Sequence, residues 1–370
     1  MDGFLSCPFC AHREEPGLNP SRCPHCGVPL RWEKAFLRVS PAELRGRGVW
    51  RYRPFLPGVA PVSLGEGGTP LVEGRTGREL GLQLLWKLEF LNPTGSFKDR
   101  GASVLVSALR SLGARRLADD SSGNAGAALA AYAVAAGLRA VLFVPAQASG
   151  PKVRQIEGYG AELVRVPGPR PEATTAVTRA CQEDPELVYA SHNASPYFLA
   201  GLLTLAFEIA EDLGWKAPDH LVVPVGGGGL LLGLFYGFSL LVHLGWVGKG
   251  PRLHAVQPAA CAPVVRAWES GLAEPAPVEP GETMAEGTRI PRPERGREIL
   301  LALRASRGVA VAVEEEGIRR AQKALAGEGL YVEPTAALAP AALPKLLAQG
   351  TLRPGETVVV PLTGFGLKAA

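Results

Sequence analysis

The stretch Val222-Val-Pro-Val-Gly226-Gly227-Gly228-Gly229-Leu-Leu-Leu232 joins a short β-branched run to a long uncharged segment through four consecutive glycines. Residues 221–225 are expected to form a strand buried on both faces and residues 230–244 a helix, because a near-continuous apolar run bounded by glycine suits a parallel sheet. A tight strand-to-helix turn rarely needs four glycines. They let the backbone approach a phosphate closely, and the N-terminus of the following helix supplies a field for the anion. The Gly-Lys-Ser/Thr ending of a nucleotide-binding loop is missing, which favours a cofactor phosphate over ATP. Residues 220–248 contain no Asp, Glu, Lys or Arg. The glycines cut that segment in two, so a helix buried in a large core is the preferred reading and no membrane association is expected.

The same alternation continues in both directions. Strand-like runs at 84–88, 139–144, 162–166, 252–256 and 357–361 alternate with Ala- and Leu-rich helical stretches at 101–112, 125–136, 198–213 and 315–326. The expected fold class is α/β, with parallel sheets covered on both faces. In such sheets ligands sit beyond the carboxyl ends of the strands, where glycine-rich turns lead into helix N-termini. Residues 31–60 are expected to be an irregular connection and 273–282 a surface loop. With 370 residues, 46% hydrophobic and 20% charged, the chain can bury a large core in roughly two domains. A formal charge of +4 and 7% aromatics leave no basic footprint, so no nucleic-acid partner is expected. The opening residues lack the basic flank and apolar core of a secretory signal, and a cytoplasmic location is expected.

Two further segments satisfy the strand-end rule. In Asn92-Pro-Thr94-Gly-Ser96-Phe-Lys98-Asp-Arg-Gly101, Lys98 stands at an expected helix start, where the positive end of the dipole disfavours the ammonium form and favours a nucleophilic amine. Taken alone it also fits an ordinary surface lysine. Asp99 and Arg100 are expected to form local ion pairs. In Asp120-Ser121-Ser122-Gly123-Asn124-Ala125-Gly126, successive backbone N–H groups at a helix start suit a carboxylate, and the Asn124 amide can donate to a phenolate oxygen. A plain N-cap with turn glycines would look the same.

Six cysteines are present, and four of them fall early as Cys7-Pro-Phe-Cys10 and Cys23-Pro-His-Cys26. Two such knuckles bring four thiolates to one tetrahedral ion, and with every position filled by sulfur the metal should be structural zinc (Zn2+) without an open site for water. His12 and His25 could replace a thiolate, but the symmetric four-cysteine set argues against it. Two disulfides would need an oxidising compartment that nothing else supports. Cys181 and Cys261 are expected to be buried small hydrophobes.

A lysine at a helix start, an anion-binding Ser/Gly/Asn turn and a phosphate cup together suit an aldehyde cofactor that bears a phosphate. The strings Asn92 to Gly101, Ser121 to Gly126, the glycine loop and Thr363-Gly-Phe-Gly-Leu-Lys368 resemble, in this order, the threonine synthase group of fold-type II pyridoxal-phosphate enzymes, which are tryptophan-synthase-β-like. An N-terminal four-cysteine ribbon also occurs in that group. The resemblance runs from about Leu64 to Lys368 and implies two parallel-sheet α/β domains: a ribbon at 1–35, a large cofactor-binding domain at 36–96 and 185–370, and a small domain at 97–184.

By the same resemblance, Lys98 would hold pyridoxal 5'-phosphate covalently and later move protons. Asn124 would bond the ring phenolic oxygen, and Gly226, Gly227, Gly228 and Gly229 would cradle the phosphate. Thr363 would face the pyridine nitrogen, where a neutral hydroxyl suits elimination and replacement better than a carboxylate would. Ser121 and Ser122 would grip the substrate carboxylate. Threonine synthase converts O-phosphohomoserine and water to threonine and phosphate, and Ser96, Lys152, Arg154, Asn193 and Thr94 are candidates for the substrate phosphate.

The substrate side departs from the family pattern. Gly201-Leu-Leu-Thr204 stands where many members have Gly-Gln-Lys-Thr, Ala125 where Thr is common, and Phe365 where His or Asn is common. Two other readings therefore stand beside the first: a related threonine/serine ammonia-lyase or β-replacement synthase, and a catalytically inactive zinc-ribbon regulatory protein. Glu333-Pro334-Thr335 resembles a turn that lines the site of the large domain. A symmetric homodimer acting on a small amino acid is expected.

Overall fold

The computed structural model describes residues 1–19, 22–34 and 39–369. The chain divides into two compact units, Met1–Gly67 with Asn92–Leu202 and Lys368–Ala370, and Gly68–Leu91 with Leu203–Leu367. Residues 36–67, 92–96, 185–202 and 368–370 lie in the first unit together with 97–184. The reason lies in hydrogen bonding. Strand Leu187–Tyr189 completes the sheet of that unit by pairing with Arg116–Asp119. The indole N–H of Trp50 and the backbone N–H of Val62 each donate at 2.8 Å to buried hydroxyls, Ser103 and Ser107, on helix Lys98–Ser111.

The first unit contains a four-stranded parallel sheet in the order Glu162–Val166, Arg139–Pro145, Arg116–Asp119, Leu187–Tyr189. Helix Arg170–Glu183 buries only Ala173 and Val177, which pack against Ala118, Val141, Phe143 and Leu187. A separate antiparallel sheet of Phe4–Ser6, Arg13–Glu14 and Arg31–Glu33 forms the N-terminal ribbon. Its third strand lies in the stretch expected to be irregular, which also holds the 3-10 helix Val49–Phe55.

The second unit is built on a six-stranded sheet in the order Ala310–Val313, Arg252–Pro258, His220–Pro224, Thr357–Pro361, Gln83–Lys87, Leu71–Glu73. Only the Leu71–Glu73 pairing is antiparallel. His220–Pro224 is buried along its whole length, as its run of apolar residues requires. Helix Pro334–Ala348 was not expected. It starts with Pro334 at its first turn and tolerates Pro340 and Pro344 inside, because its apolar residues are buried against the sheet and that burial outweighs the lost backbone bonds.

A chain of imidazoles crosses this sheet. The Val309 backbone N–H donates to His254 Nδ1 at 3.3 Å, so His254 Nε2–H donates to His220 Nδ1 at 2.9 Å and His220 Nε2–H to Glu356 at 2.9 Å. Burial, aided by the neighbouring His220 and Arg252 charges, pushes His254 down to about 3, and burial also lowers His220. The unfolded chain binds protons near pH 6.5 that the folded chain refuses. This contribution to stability is therefore complete above that pH and is lost progressively as pH falls toward about 3. His254 alone should cost about 1 kcal/mol per pH unit across that window. The thermal midpoint should fall between pH 7 and pH 5, and fall less steeply in His254→Gln; an equally steep fall in the variant would contradict the assignment.

Candidate active site

Lys98 opens helix Lys98–Ser111 in the first unit, and the loop before it is tied down at several points. Asn92 Oδ1 accepts from the Gly67 N–H at 2.9 Å. The buried carboxylate of Asp99 accepts from the backbone N–H of Thr94 at 2.6 Å and from the Thr94 hydroxyl. The Thr94 carbonyl in turn accepts from Gln155 Nε2 at 3.1 Å and from the buried Lys368 ammonium at 2.5 Å. Thr94 is thus hydrogen-bonded within the loop through its N–H, its hydroxyl and its carbonyl. Asp99, expected to form an ion pair with its neighbours, locks the loop instead. Burial pushes Asp99 up to about 7, against the Thr94 donors and the Lys368 charge. Lys98 is half-buried, with Nζ 4.8 Å from the Phe97 ring centroid and 5.6 Å from that of Phe198. Ser96 Oγ is fully buried with no hydrogen-bond partner among the described residues.

The Ser121 turn sits in the same unit, between strand Arg116–Asp119 and helix Asn124–Ala135. The Ser121 hydroxyl accepts from the Gly123 N–H at 3.3 Å. Gly126 allows the turn to fold down on the helix, since a Cβ there would lie 1.9 Å from the Ser121 carbonyl oxygen. Ser122 and Asn124 are half-buried. Lys152 and Arg154 lie on helix Pro151–Gly158, the first half-buried and the second exposed, and Gln155 of that helix reaches the Lys98 loop. Asn193, half-buried, follows strand Leu187–Tyr189. Beside it, His192 Nδ1 is 3.0 Å from Asp119 Oδ2.

The second unit carries the glycine loop and Thr363. Helix Gly229–His243 begins directly at the loop, at the carboxyl end of His220–Pro224. A Cβ on Gly226 would lie 2.9 Å from the Gly287 carbonyl oxygen, and one on Gly228, where φ is +89°, would lie 2.3 Å from Ile299 Cδ1. At both positions glycine is favoured by neighbours within the unit, and at Gly228 by its positive φ as well. Thr363 follows strand Thr357–Pro361, is 2% exposed, and its hydroxyl has no hydrogen-bond partner among the described residues. Its loop is pinned by the Glu333 N–H on the Gly364 carbonyl and the Gly366 N–H on the Tyr331 carbonyl, both at 3.0 Å. That is the placement found for the Glu333-Pro334-Thr335 turn.

In the ribbon, Cys7, Cys10, Cys23 and Cys26 are thiols, and their sulfurs all lie within 4.8 Å of one another. Hydrogen bonding with Cys10, together with burial, pushes Cys26 up to about 12. Burial acts against the Cys23 thiolate too, but the backbone N–H groups of Cys26 and His25 outweigh it and bring Cys23 down to about 7. Such crowding of thiols is relieved when a cation replaces the protons. His12 is instead engaged with Glu14 at 3.1 Å. Cys261 is buried as expected, whereas Cys181 is only half-buried.

Residues 62–364 match the family of pyridoxal-phosphate dependent enzymes. The chain belongs to that family. It is 38% identical over 340 residues to the threonine synthase of Methanocaldococcus jannaschii, covering 90% of this chain and 84% of that protein. It is 39% identical over 325 residues to the threonine synthase of Methanosarcina acetivorans, covering 86% and 80%. Among solved structures, a T.th. threonine deaminase matches with a TM-score of 0.67 and 31% identity over 80% of this chain and 92% of that one. Maize serine racemase, at 23% identity, shares the fold with a TM-score of 0.71, covering 80% of this chain and 88% of that one. The α/β fold is that of the pyridoxal-phosphate family, as the alternation of strands and helices predicts.

The residues present fit the family's cofactor on chemical grounds. Two buried hydroxyls, Ser96 Oγ and Thr363 Oγ1, have no protein partner among the described residues, and buried polar groups rarely stay so without a ligand or water. No helix among the described residues is long and apolar enough to cross a membrane. Sequence reasoning assigned no role to Lys368, Asp119 or His192. Lys368 had a signal, its place in the Thr363 to Lys368 string, but Asp119 and His192 are 73 residues apart and carry none.

Proposed function

We propose that this chain is a threonine synthase, converting O-phosphohomoserine and water to threonine and phosphate. One observation carries the reading: the Asn92 to Lys98 string forms a loop locked by Asp99, with Lys98 as the first residue of the following helix, in a chain related along most of its length to threonine synthases. When bound, pyridoxal phosphate supplies an electron sink for charge developing at the substrate Cα.

The roles of this chain's own residues follow from their chemistry. Lys98 holds the cofactor covalently and moves the proton at Cα. Asn124 donates its amide to the phenolic oxygen, Gly226 to Gly229 offer backbone N–H groups to the cofactor phosphate, and the Thr363 hydroxyl meets the pyridine nitrogen. Ser121, Ser122 and the N–H groups that follow orient the substrate through its carboxylate. Ser96, Asn193, Lys152 and Arg154 serve the substrate phosphate, with the unpartnered Ser96 hydroxyl the best supported of the four. The protein acts as a symmetric homodimer in the cytoplasm, a reading that rests on the general habit of soluble enzymes.

One observation favours a second reading, an amino-acid ammonia-lyase: Leu202, where many family members carry glutamine, is fully buried and apolar. Offering the purified holoprotein O-phosphohomoserine, threonine and serine separates the two. The synthase reading expects phosphate and threonine in equal amounts from O-phosphohomoserine. Ammonia and keto acid from threonine, with no phosphate released from O-phosphohomoserine, would replace it with the lyase.

Cys7, Cys10, Cys23 and Cys26 are proposed to hold a structural zinc ion, supported by the convergence of their sulfurs. Chelation or Cys23→Ser should lower the thermal midpoint by several degrees while turnover per folded molecule changes less than about twofold. Loss of turnover at unchanged stability would contradict a structural role.

A further inference from the structure

Two opposite charges hold Thr94, four residues before Lys98, from its two sides. The Asp99 carboxylate receives its backbone N–H at 2.6 Å and its hydroxyl, while the Lys368 ammonium donates to its carbonyl at 2.5 Å. Asp99 is 0% exposed and Lys368 8%, and all three residues lie in the first unit. Hydrogen bonds to ionised groups are the stronger kind, so the grip on this one residue is firm.

A neutral donor already reaches the same oxygen: Gln155 Nε2 lies 3.1 Å from the Thr94 carbonyl. A second hydrogen bond alone therefore does not call for a buried ammonium, which is costly to take from water. What the charge adds is support for the Asp99 carboxylate. Burial pushes Asp99 up to about 7, and the Thr94 donors and Lys368 act against that rise. From Thr94 the chain turns at once. Gly95 has φ at +85° and donates its N–H to the Asn92 carbonyl at 2.8 Å. The Asp99 N–H then meets the Ser96 carbonyl at 3.3 Å, and Lys98 opens the helix. Any slip of Thr94 is thus carried within one turn to the Ser96 hydroxyl and the Lys98 amine, where a displacement of about 1 Å is enough to cost about a hundredfold in rate.

We propose that Lys368 is a positioning residue for Lys98, an inference that rests on the assignment of Lys98 as the cofactor lysine. The Lys368 ammonium, bonded to the Thr94 carbonyl and balancing the Asp99 carboxylate, holds the loop in the conformation from which the Lys98 amine meets the cofactor aldehyde and the proton at the substrate Cα. It acts through Thr94 and Asp99 and moves no proton itself.

The test compares wild type with Lys368→Met and Lys368→Arg, with every rate taken per folded molecule below the thermal midpoint. Pyridoxal phosphate added to cofactor-free protein is followed by visible absorbance, and its capture should slow at least about tenfold in Lys368→Met. With the cofactor loaded, turnover of O-phosphohomoserine at saturation should fall by a similar factor while KM changes less than about threefold. Lys368→Arg keeps the charge and should recover most of both losses. A Lys368→Met protein that melts earlier but captures cofactor and turns over like wild type overturns the proposal, because the role would then be structural only. A Lys368→Arg protein no better than Lys368→Met overturns it as well. If Lys368→Met gives no folded protein, Lys368→Gln, which keeps a donor but not the charge, is held to the same outcomes. A wild type that releases no phosphate removes the synthase reading alone, and the capture rates still decide; a wild type that forms no adduct on Lys98 removes this proposal too.

Discussion

Lys98→Ala should be a folded, colourless protein with turnover reduced by about 10^3-fold or more, because it loses both the covalent attachment point and the group that moves the Cα proton. The expectation rests on position. Lys98 is the first residue of its helix, half-buried beside the Phe97 and Phe198 rings. The thermal midpoint of the cofactor-free variant should therefore match that of cofactor-free wild type. Visible absorbance that persists in Lys98→Ala after added cofactor is dialysed away would contradict the assignment, and so would retained turnover. The same variant disposes of the regulatory reading, which would leave the biological role intact.

Lys87→Met should strongly destabilise the second unit. The Lys87 ammonium is fully buried and reaches Glu208 at 2.7 Å, Asp212 at 2.7 Å and the Thr69 carbonyl at 2.6 Å. Glu208 also receives the N–H groups of Gly68 and Thr69, both at 2.8 Å, so it cannot turn away to solvent. Methionine keeps the length of the stem but leaves that carboxylate buried without its cation, an arrangement that costs about 3 to 5 kcal/mol. Asp212, whose side chain is 35% exposed, contributes less than Glu208, at 6%. The loss should appear as a lower urea midpoint at pH 7. It should shrink at lower pH, where the carboxylates accept protons, and burial already pushes Asp212 in that direction. An unfolding free energy within about 0.5 kcal/mol of wild type, a change typical of an ordinary surface substitution, would contradict this account of the network.

The parts of the molecule legible in the sequence are those where local pattern and burial agree. The strand Thr357–Pro361 coincides with the expected run, because it is a short, largely buried apolar stretch with no competing period. The Lys98 helix begins three residues before the expected 101–112, since Lys98, Asp99 and Arg100 are polar and hide the first turn. Strands Arg116–Asp119, Leu187–Tyr189 and Ala310–Val313 are only three or four residues long, too short for a periodic signal. They exist because parallel neighbours pair with them. Helix Arg170–Glu183 escaped notice because it buries two residues in fourteen. At the site, the single-string features Lys98, Ser121 to Asn124, Gly226 to Gly229 and Thr363 could be found by inspection. The Asp119–His192 pair, the Lys368 bond to Thr94 and the Lys87 network each join residues far apart in the chain, and only the folded backbone brings them together.

The account depends most on which side chain binds the cofactor. Reducing the wild-type holoprotein with borohydride and mapping its peptides by mass is predicted to give one stable pyridoxyl adduct, on Lys98. An adduct on Lys87, Lys152 or Lys368, or on no lysine at all, would contradict it.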